Sequence, residues 1–301
     1  MSDLNLRRLR YFVVVAEELS YGRAAERLHI AQPVLSRQIT VLEQELGVVL
    51  LDRSTRGTAL SSAGEALLAE AKGLLSSATA LERRARIAAR GVQRFSIGFM
   101  PGLIVTPMVQ ALNHQFPGLQ VDVVRTSWDD QVEMIHDGRI DISVVRLPVA
   151  TRGLATEPLF TEARVVALAA SHPLAAQETV AIADLAPVDL LQDADAVPEW
   201  RDARLRLALP LPGEQGGMPI VHAVEEKLEQ VAAGRGIVIL PKSTARLYTR
   251  PDVAYRPVDG LAPGEVALAW EAGRSTLPLR FAIENADTLR VSPRAEVVLD
   301  E

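Results

Sequence analysis

Cysteine is absent from this chain of 301 residues. Its absence excludes disulfide bonds, thiolate zinc sites, iron–sulfur clusters and cysteine nucleophiles. The sequence also lacks any long uncharged apolar run, and its first residues are charged rather than an apolar signal core, which predicts no membrane contact and a cytoplasmic location. Glycine and proline are scattered, and 48% of the residues are hydrophobic. We therefore expect a globular protein of roughly two or three domains.

Recognisable catalytic motifs are also missing. The chain has no HExxH, GxSxG, Walker or dinucleotide-binding motif. Its histidines stand far apart in the sequence, which favours surface or hydrogen-bonding roles over metal binding; they are His29, His114, His136, His172 and His222. We predict that the protein is not an enzyme and carries no metal or cofactor.

The charge of the chain is unevenly distributed. The net charge is −6, but residues 1–91 carry 13 basic and 10 acidic side chains, whereas the remaining residues carry 19 basic and 28 acidic ones. A mildly basic front part favours a polyanionic partner for that part, and the acidic rear part indicates a different partner. Chance explains so small an excess equally well, so charge alone decides little.

The sequence up to Gly47 has the pattern of three short helices around a small core. Apolar residues recur at helical spacing between residues 5 and 19, and Ser20 is placed to cap a second helix. Pro33 and Gly47 suit the start and the end of a third helix. Two helices joined by a turn at 29–31 are typical of a helix-turn-helix motif, with an ordinary helical hairpin as the alternative.

In a helix-turn-helix motif the second helix enters the major groove of double-stranded DNA. The side chains expected at its exposed start, several with donors and acceptors that suit bases and phosphates, are Gln32, Pro33, Val34, Ser36, Arg37 and Gln38. Two short strands follow between residues 48 and 60, around a tip with Arg53 and Arg56. Such a basic wing suits a phosphate or a minor groove, and an ordinary exposed arginine pair is the alternative.

A long helix is predicted from residue 62, because Ser62 and Glu65 have the spacing of a capping box. Small and apolar residues then recur in steps of four and three, as in a two-helix coiled coil; they are Leu67, Ala71, Leu74, Ala78, Leu81, Ala85 and Ala88. We predict that this stripe pairs two copies of the chain, with packing on its own chain as the alternative. A two-fold dimer would bind an interrupted inverted repeat.

Beyond residue 91, short apolar runs alternate with helical segments, which is typical of α/β folds with a mostly parallel sheet. Predicted strands include 95–99, 119–124, 140–145, 188–191, a segment near 220 and 266–270, and predicted helices include 106–116, 127–138, 199–209, 225–233 and 277–289. Two lobes, at about 92–165 with 266–301 and at about 166–265, would resemble periplasmic binding proteins. Ligands of such sheets bind beyond the carboxyl ends of the strands.

The expected ligand-binding residues lie where strands end and helices begin. They are Met100, Pro101, Gly102, Ser127, Trp128, Arg146, Pro148, Trp200 and His222. Free helix amides and the Arg146 guanidinium favour an organic carboxylate as the ligand. Two alternatives stay open, because Asp129 and Asp130 are placed to satisfy the same amides and Arg146 is equally placed to pair with Asp141 or Glu133.

Five blocks near the start of the chain resemble LysR-type transcriptional regulators. The blocks are Leu9-Arg10-Tyr11-Phe12, Ala24-Ala25-Glu26-Arg27-Leu28, Gln32-Pro33-Val34-Leu35-Ser36-Arg37-Gln38-Ile39, Leu42-Glu43-Gln44-Glu45-Leu46-Gly47 and Leu51-Asp52-Arg53. The resemblance implies that Gln32, Ser36 and Arg37 lie at base edges. It further implies that Pro33 shapes the start of the reading helix and that Arg53 belongs to the wing.

For the whole chain, the resemblance implies a winged helix-turn-helix at 1–60, a dimerisation helix at 61–91 and an effector-binding domain at 92–301. It also implies a dimer of dimers, and RNA polymerase is a further candidate partner. Segments such as Gly98-Phe99-Met100 and Arg146-Leu147 resemble the branch that senses aromatic-degradation intermediates. Gly102 and Trp128 depart from the hydroxyls frequent in that branch, which favours a flatter or more apolar acid. A solute-binding protein of a transporter, or an enzyme, is the alternative for residues 92–301.

Overall fold

The computed structural model describes residues 4–54, 57–89, 93–211 and 223–290. The chain divides into two compact units, a mainly helical one up to about residue 89 and a larger α/β one after it. This confirms the predicted fold class, a winged helix-turn-helix with a long helix followed by a two-lobed α/β domain. No helix in the four described segments is long and apolar enough to cross a membrane.

The first unit contains three short helices, a hairpin and one long helix. Its elements are α1 (Leu6–Glu18), α2 (Tyr21–Leu28), α3 (Gln32–Leu46), β1 (Leu51–Ser54), β2 (Gly57–Leu60) and α4 (Ser62–Ala89). Fully buried side chains of α1 and α3, among them Phe12, Leu35 and Ile39, form its core. Leu6 and Leu19, expected on the same apolar stripe, are exposed at the two ends of α1.

Local signals in the sequence set the ends of α2 and α3. The Ser20 hydroxyl accepts a hydrogen bond from the Arg23 amide at 3.4 Å, and so caps α2 as predicted. Gly47 has a φ of +69° and ends α3, because the left-handed region costs glycine less than any residue with a Cβ atom.

The long helix α4 is capped one residue earlier than predicted. The Ser61 hydroxyl, rather than that of Ser62, accepts the Gly64 amide at 3.0 Å, and the Ser61 carbonyl accepts the Glu65 amide. Gly64 also permits a close approach to the preceding segment, since a Cβ atom there would lie 2.1 Å from the Leu50 carbonyl oxygen. A glycine is therefore required at this point for α4 to pack against the residues that lead into β1.

The apolar stripe of α4 divides into two parts. Leu67 and Ala71 pack on the core that contains α1, so this part follows the alternative in which the stripe packs on its own chain. Further along, Leu74 and Leu81 are 45% and 65% exposed, and Ala78 is half-buried. The first half of the stripe is thus occupied within the chain, and Leu74 and Leu81 in the second half are exposed.

The second unit is built on two sheets, and we call each sheet with its helices a lobe. Lobe I consists of β3 (Arg94–Phe99), α5 (Thr106–Gln115), β4 (Gln120–Arg125), α6 (Glu133–His136), β5 (Ile142–Arg146), β6 (Leu154–Glu162), β11 (Gly264–Glu271), α11 (Leu277–Glu284) and α12 (Asp287–Arg290). Lobe II consists of β7 (Arg164–Ala169), β8 (Val180–Ala181), α7 (Ile182–Leu185), α8 (Pro198–Arg206), α9 (Val224–Ala232), β9 (Val238–Pro241), α10 (Lys242–Leu247) and β10 (Val253–Asp259).

Both sheets are mixed, so the prediction of a mostly parallel sheet is wrong. Lobe I has the strand order β4-β3-β5-β11-β6, in which β4, β3 and β5 are parallel and β11 is antiparallel to both of its neighbours. Lobe II has the order β8-β10-β7-β9, with β7 antiparallel to β10 and to β9. The pattern along the chain could not show this, because β11 returns from lobe II and inserts between β5 and β6.

Two of the other predicted elements differ clearly from the structure. The helix expected over 127–138 is shortened to α6. The Ser127 amide donates a hydrogen bond to the Asp130 carboxylate at 2.6 Å, and turns separate these two residues from the helix. The strand expected at 188–191 is a single bridge between Leu190 and Ile237. The strand expected near residue 220 lies outside the described residues. Strands β6 and β10 were not predicted at all.

Candidate DNA interface and ligand cavity

Helix α3 presents polar side chains opposite the face that it buries. The exposed or half-buried side chains of its first two turns are Gln32, Pro33, Val34, Ser36, Arg37 and Gln38. Leu35 and Ile39 are buried behind them and hold the helix on the core. The Arg37 guanidinium makes no hydrogen bond or ion pair with any residue that the structure describes. The arrangement gives α3 a solvent-facing surface with donors and acceptors for base edges.

Gln38 differs from its neighbours because its side chain is bonded to α1. Its Oε1 accepts a hydrogen bond from Arg8 Nε at 3.1 Å, and Arg8 also pairs with Glu45 at the far end of α3. This network fastens α3 to α1. The oxygen of Gln38 is therefore engaged within the protein, which leaves its NH2 group for the predicted DNA contact.

The hairpin after α3 has the position expected of a wing. Strands β1 and β2 pair antiparallel, from Leu51 opposite Leu60 to Ser54 opposite Gly57. Arg53 belongs to β1, but its side chain and all of Arg56 lie outside the described residues. The wing contacts of both arginines therefore stay predictions.

Lobes I and II line a common cavity of about 880 Å³. Its apolar wall includes Trp128, Leu147, Val149, Val197, Ile239 and Leu240. Six of the predicted ligand-binding residues line it, namely Met100, Pro101, Ser127, Trp128, Arg146 and Pro148. Its volume and mixed lining are those of a site for a small organic molecule.

Two predicted ligand-binding residues, Gly102 and Trp200, do not line the cavity. Gly102 packs against α10, and a Cβ atom there would lie 2.6 Å from the Thr244 amide nitrogen. Trp200 is fully buried in lobe II, where its Nε1 donates to the Leu185 carbonyl at 3.0 Å. One residue earlier in α8, Glu199 does line the cavity. One helical step of about 100° turns Trp200 away from it. The remaining predicted residue, His222, lies outside the described residues.

Arg146 is engaged within the cavity wall. Its Nε donates to Glu162 Oε1 at 2.8 Å, and its Nη2 donates to Ser243 Oγ at 3.1 Å. Burial lowers the pKa of Arg146, and the Glu162 carboxylate opposes that shift. Neither of the partners predicted as alternatives is used, because Asp141 pairs with Arg274 and Glu133 lies 3.8 Å from Arg139.

A second ion pair lines the cavity where the chain passes between the lobes. Arg164 Nη2 donates to Glu199 Oε1 at 2.5 Å, and Arg164 Nε donates to the Ala262 carbonyl at 2.8 Å. The other carboxylate oxygen of Glu199 is buried and accepts no hydrogen bond from the described residues. A ligand hydroxyl is a group that would satisfy it.

Lys227 and Thr126 are polar lining residues of a different kind. Lys227 lies in the first turns of α9, where burial lowers its pKa and the charge of Asp129 opposes that shift. Thr126 follows β4 and is 2% exposed, and its hydroxyl has no hydrogen-bond partner among the described residues. Both side chains are therefore able to bind a ligand without breaking a hydrogen bond within the described chain.

Sequence reasoning missed Lys227, Glu162 and Arg164. The sequence could have indicated Lys227, because it follows Val224 and Ala223 by three and four residues. It therefore shares a helix face with these two residues, which also line the cavity. Glu162 and Arg164 flank the first passage of the chain between the lobes. The sequence pattern did not predict β6, the strand that ends at Glu162, so neither residue could be placed.

Models of known protein families match most of the chain. Residues 6–65 match the bacterial regulatory helix-turn-helix protein family of lysR type, and residues 89–284 match the LysR substrate binding domain. The second match alone covers more than half of the chain.

Individual relatives agree with these matches. The Hca operon transcriptional activator HcaR of Escherichia coli is 31% identical, over 92% of this chain and 95% of its own. The HTH-type transcriptional regulator BenM of Acinetobacter baylyi is 32% identical, over 88% of this chain and 90% of its own. Among solved structures, the LysR family transcriptional regulator CbnR is 27% identical, with a TM-score of 0.58 over 96% of this chain and 100% of its own. The exposed polar surface of α3, the cavity between the two lobes and these matches together show that this chain is a ligand-responsive transcriptional regulator of the LysR family.

Proposed function

We propose that this chain binds an interrupted inverted repeat in double-stranded DNA as a dimer, and that a small organic acid in the cavity controls this binding. Residues 1–60 bind DNA, residues 61–91 pair the protomers and residues 92–301 bind the effector without converting it. Because its target is bacterial DNA, the chain acts in the cytoplasm, with RNA polymerase as a further partner.

The surface of α3 carries this proposal. Arg37 is exposed and makes no hydrogen bond or ion pair with a described residue, and Gln32 precedes it on the exposed start of the helix. An arginine reads guanine through two hydrogen bonds, and a glutamine reads adenine in the same way. By contrast, the side-chain oxygen of Gln38 accepts a hydrogen bond from Arg8 within the fold.

Selection of tight-binding sites from random duplex DNA tests the proposed DNA specificity. The full-length chain should enrich two copies of one short sequence in opposite orientation, with centres one or more helical turns apart. Its affinity for the enriched duplex should fall steeply as salt rises, because phosphate contacts release counterions. Enrichment of a single unrepeated site, or of no sequence, would contradict the proposal.

The dimer contact proposed for α4 uses the part of the stripe that the chain leaves exposed. Leu74 and Leu81 are large and apolar, and Ala78 between them permits close approach of a second helix. Leu67 and Ala71 stay within their own protomer as support. We extend the proposal to a dimer of dimers, as the LysR resemblance implies.

The double variant Leu74→Asp, Leu81→Asp is expected to weaken dimerisation at least tenfold, because it places four carboxylates in one apolar contact. Sedimentation equilibrium over a range of concentrations measures the change. Thr79→Asp, which adds a charge to the opposite side of α4, is the matched control and should dimerise as the unmodified chain does. A double variant that keeps its dimer affinity would place the contact elsewhere.

The proposed effector is a molecule bound in the cavity rather than an oxidant. One relative, a hydrogen peroxide-inducible genes activator of Pectobacterium carotovorum, is 30% identical over 95% of this chain. Cysteine thiolates are the side chains that peroxide oxidises most readily, and this chain has no cysteine. A cavity with an apolar wall around Trp128 and cations in its lining instead favours a flat organic acid.

A further inference from the structure

The cations that line the effector cavity are not equivalent. Arg125, Arg146 and Arg164 each form an ion pair with a glutamate. Lys227 also lines the cavity but, within the part of the chain that the structure describes, its ammonium group donates no hydrogen bond. An anionic ligand would have to break an existing ion pair at any of the three arginines, and at Lys227 it would not.

The place of Lys227 in α9 disfavours its charge in the absence of a ligand. It is the fourth residue of a helix that begins at Val224, close to the end where the helix dipole is positive. It is also largely buried, and burial acts against a charged group. The carboxylate of Asp129 offsets this in part. A bound anion would offset both the positive end of the helix dipole and the cost of burying the charge.

Two observations bring further groups that can bind an anion to the start of α9, the helix that carries Lys227. The N-cap of α9 is Ala223, which offers no capping side chain, and Ala223 and Val224 both line the cavity. The unpartnered hydroxyl of Thr126 belongs to lobe I, and an ion pair of 3.4 Å between the neighbouring residues Arg125 and Glu225 holds the end of β4 at the start of α9. That pair also offsets the charge of Glu225, the first acidic residue of α9.

We propose that Lys227, the Thr126 hydroxyl and the N-terminal end of α9 form the subsite that binds the carboxylate of the effector, with the apolar body of the ligand against Trp128. This rests on the proposed function and assigns the anion-binding role to Lys227 instead of Arg146. One ammonium group with Asp129 close by suits a singly charged carboxylate better than a phosphate dianion. Binding there would also tie lobe II to lobe I, because Lys227 and Thr126 belong to different lobes.

Calorimetric titration of the full-length chain tests the subsite. The probes are benzoate, cinnamate and hexanoate, each with its neutral amide, and inorganic phosphate. We expect at least one acid to bind more tightly than its amide and than phosphate. Lys227→Met should weaken that acid at least tenfold and leave the affinity of the amide unchanged. Lys227→Arg, which keeps the charge, should restore binding to within about threefold, in line with a charge-assisted contact.

Lys242→Met is the matched control, because it removes a lysine of the same lobe that does not line the cavity. It should bind the acid as the unmodified chain does. Without ligand, Lys227→Met should melt no lower than the unmodified chain, since it removes a largely buried charge near a helix N-terminus. An unchanged acid affinity in Lys227→Met would overturn the subsite and leave the proposed function standing. Failure of every acid to bind the unmodified chain would overturn the subsite together with the carboxylate effector. The DNA selection described above separately tests the regulator function.

Discussion

Trp200→Ala is expected to destabilise lobe II by about 3–5 kcal/mol, which is the usual cost of truncating a large aromatic side chain in a core. The Trp200 ring is fully buried among residues of α7, β9 and the segment around Leu190. The substitution also removes the hydrogen bond from Nε1 to the Leu185 carbonyl and the face on which the Arg204 guanidinium lies, 5.1 Å from the ring centre. Thermal and denaturant unfolding of the full-length chain measure the loss.

Trp128→Ala is the matched control for this substitution. Trp128 lines the cavity and is only half-buried, so its removal should cost little stability and should weaken an aromatic acid instead. If Trp200→Ala kept its unfolding temperature but lost ligand binding, the placement of Trp200 in the core rather than in the cavity would be wrong.

Arg37→Ala is expected to weaken binding to the selected DNA sequence by about tenfold to a hundredfold, corresponding to roughly 1–3 kcal/mol for one base-reading contact. Binding to unrelated DNA should change far less. Because Arg37 is exposed and makes no hydrogen bond or ion pair with a described residue, the fold should be unaffected and the melting temperature unchanged. Fluorescence anisotropy with the selected duplex and with duplexes altered one base pair at a time measures the effect.

Arg53→Ala provides the contrast to Arg37→Ala. If Arg53 contacts a phosphate from the wing, its loss should weaken binding to all sequences about equally and should reduce the salt dependence by about one counterion. Equal losses on all sequences for both variants would remove the base-reading role of Arg37.

The DNA-binding unit was predictable because its signals are local. A capping serine at residue 20, a glycine at residue 47 and the buried stripe of Leu35, Ile39 and Leu42 each act within one or two helical turns. The short turn between α2 and α3 then restricts how the two helices can pack. The same local reasoning erred by one residue at Ser61 and Ser62, because either serine can supply the capping hydroxyl from the sequence alone.

The cavity was only partly predictable because its residues come from distant parts of the chain. Strand ends and helix starts correctly indicated Met100, Ser127 and Pro148 as lining residues. The partner of Arg146 was missed because Glu162 closes β6, a strand that the sequence did not reveal. Trp200 was misplaced because the start of α8 can be located in the sequence, whereas the rotation of the helix about its axis depends on what it packs against.

The sequence by itself determined that the chain has a helix-turn-helix, a long helix with an apolar stripe and a two-lobed α/β domain, because each rests on spacing within a few residues. Tertiary structure alone decided the strand order of the two sheets, which half of the α4 stripe remains exposed, and which cations of the cavity are already paired. These depend on residues about a hundred or more positions apart, such as Arg146 with Ser243 or Arg125 with Glu225, and no local pattern predicts such contacts.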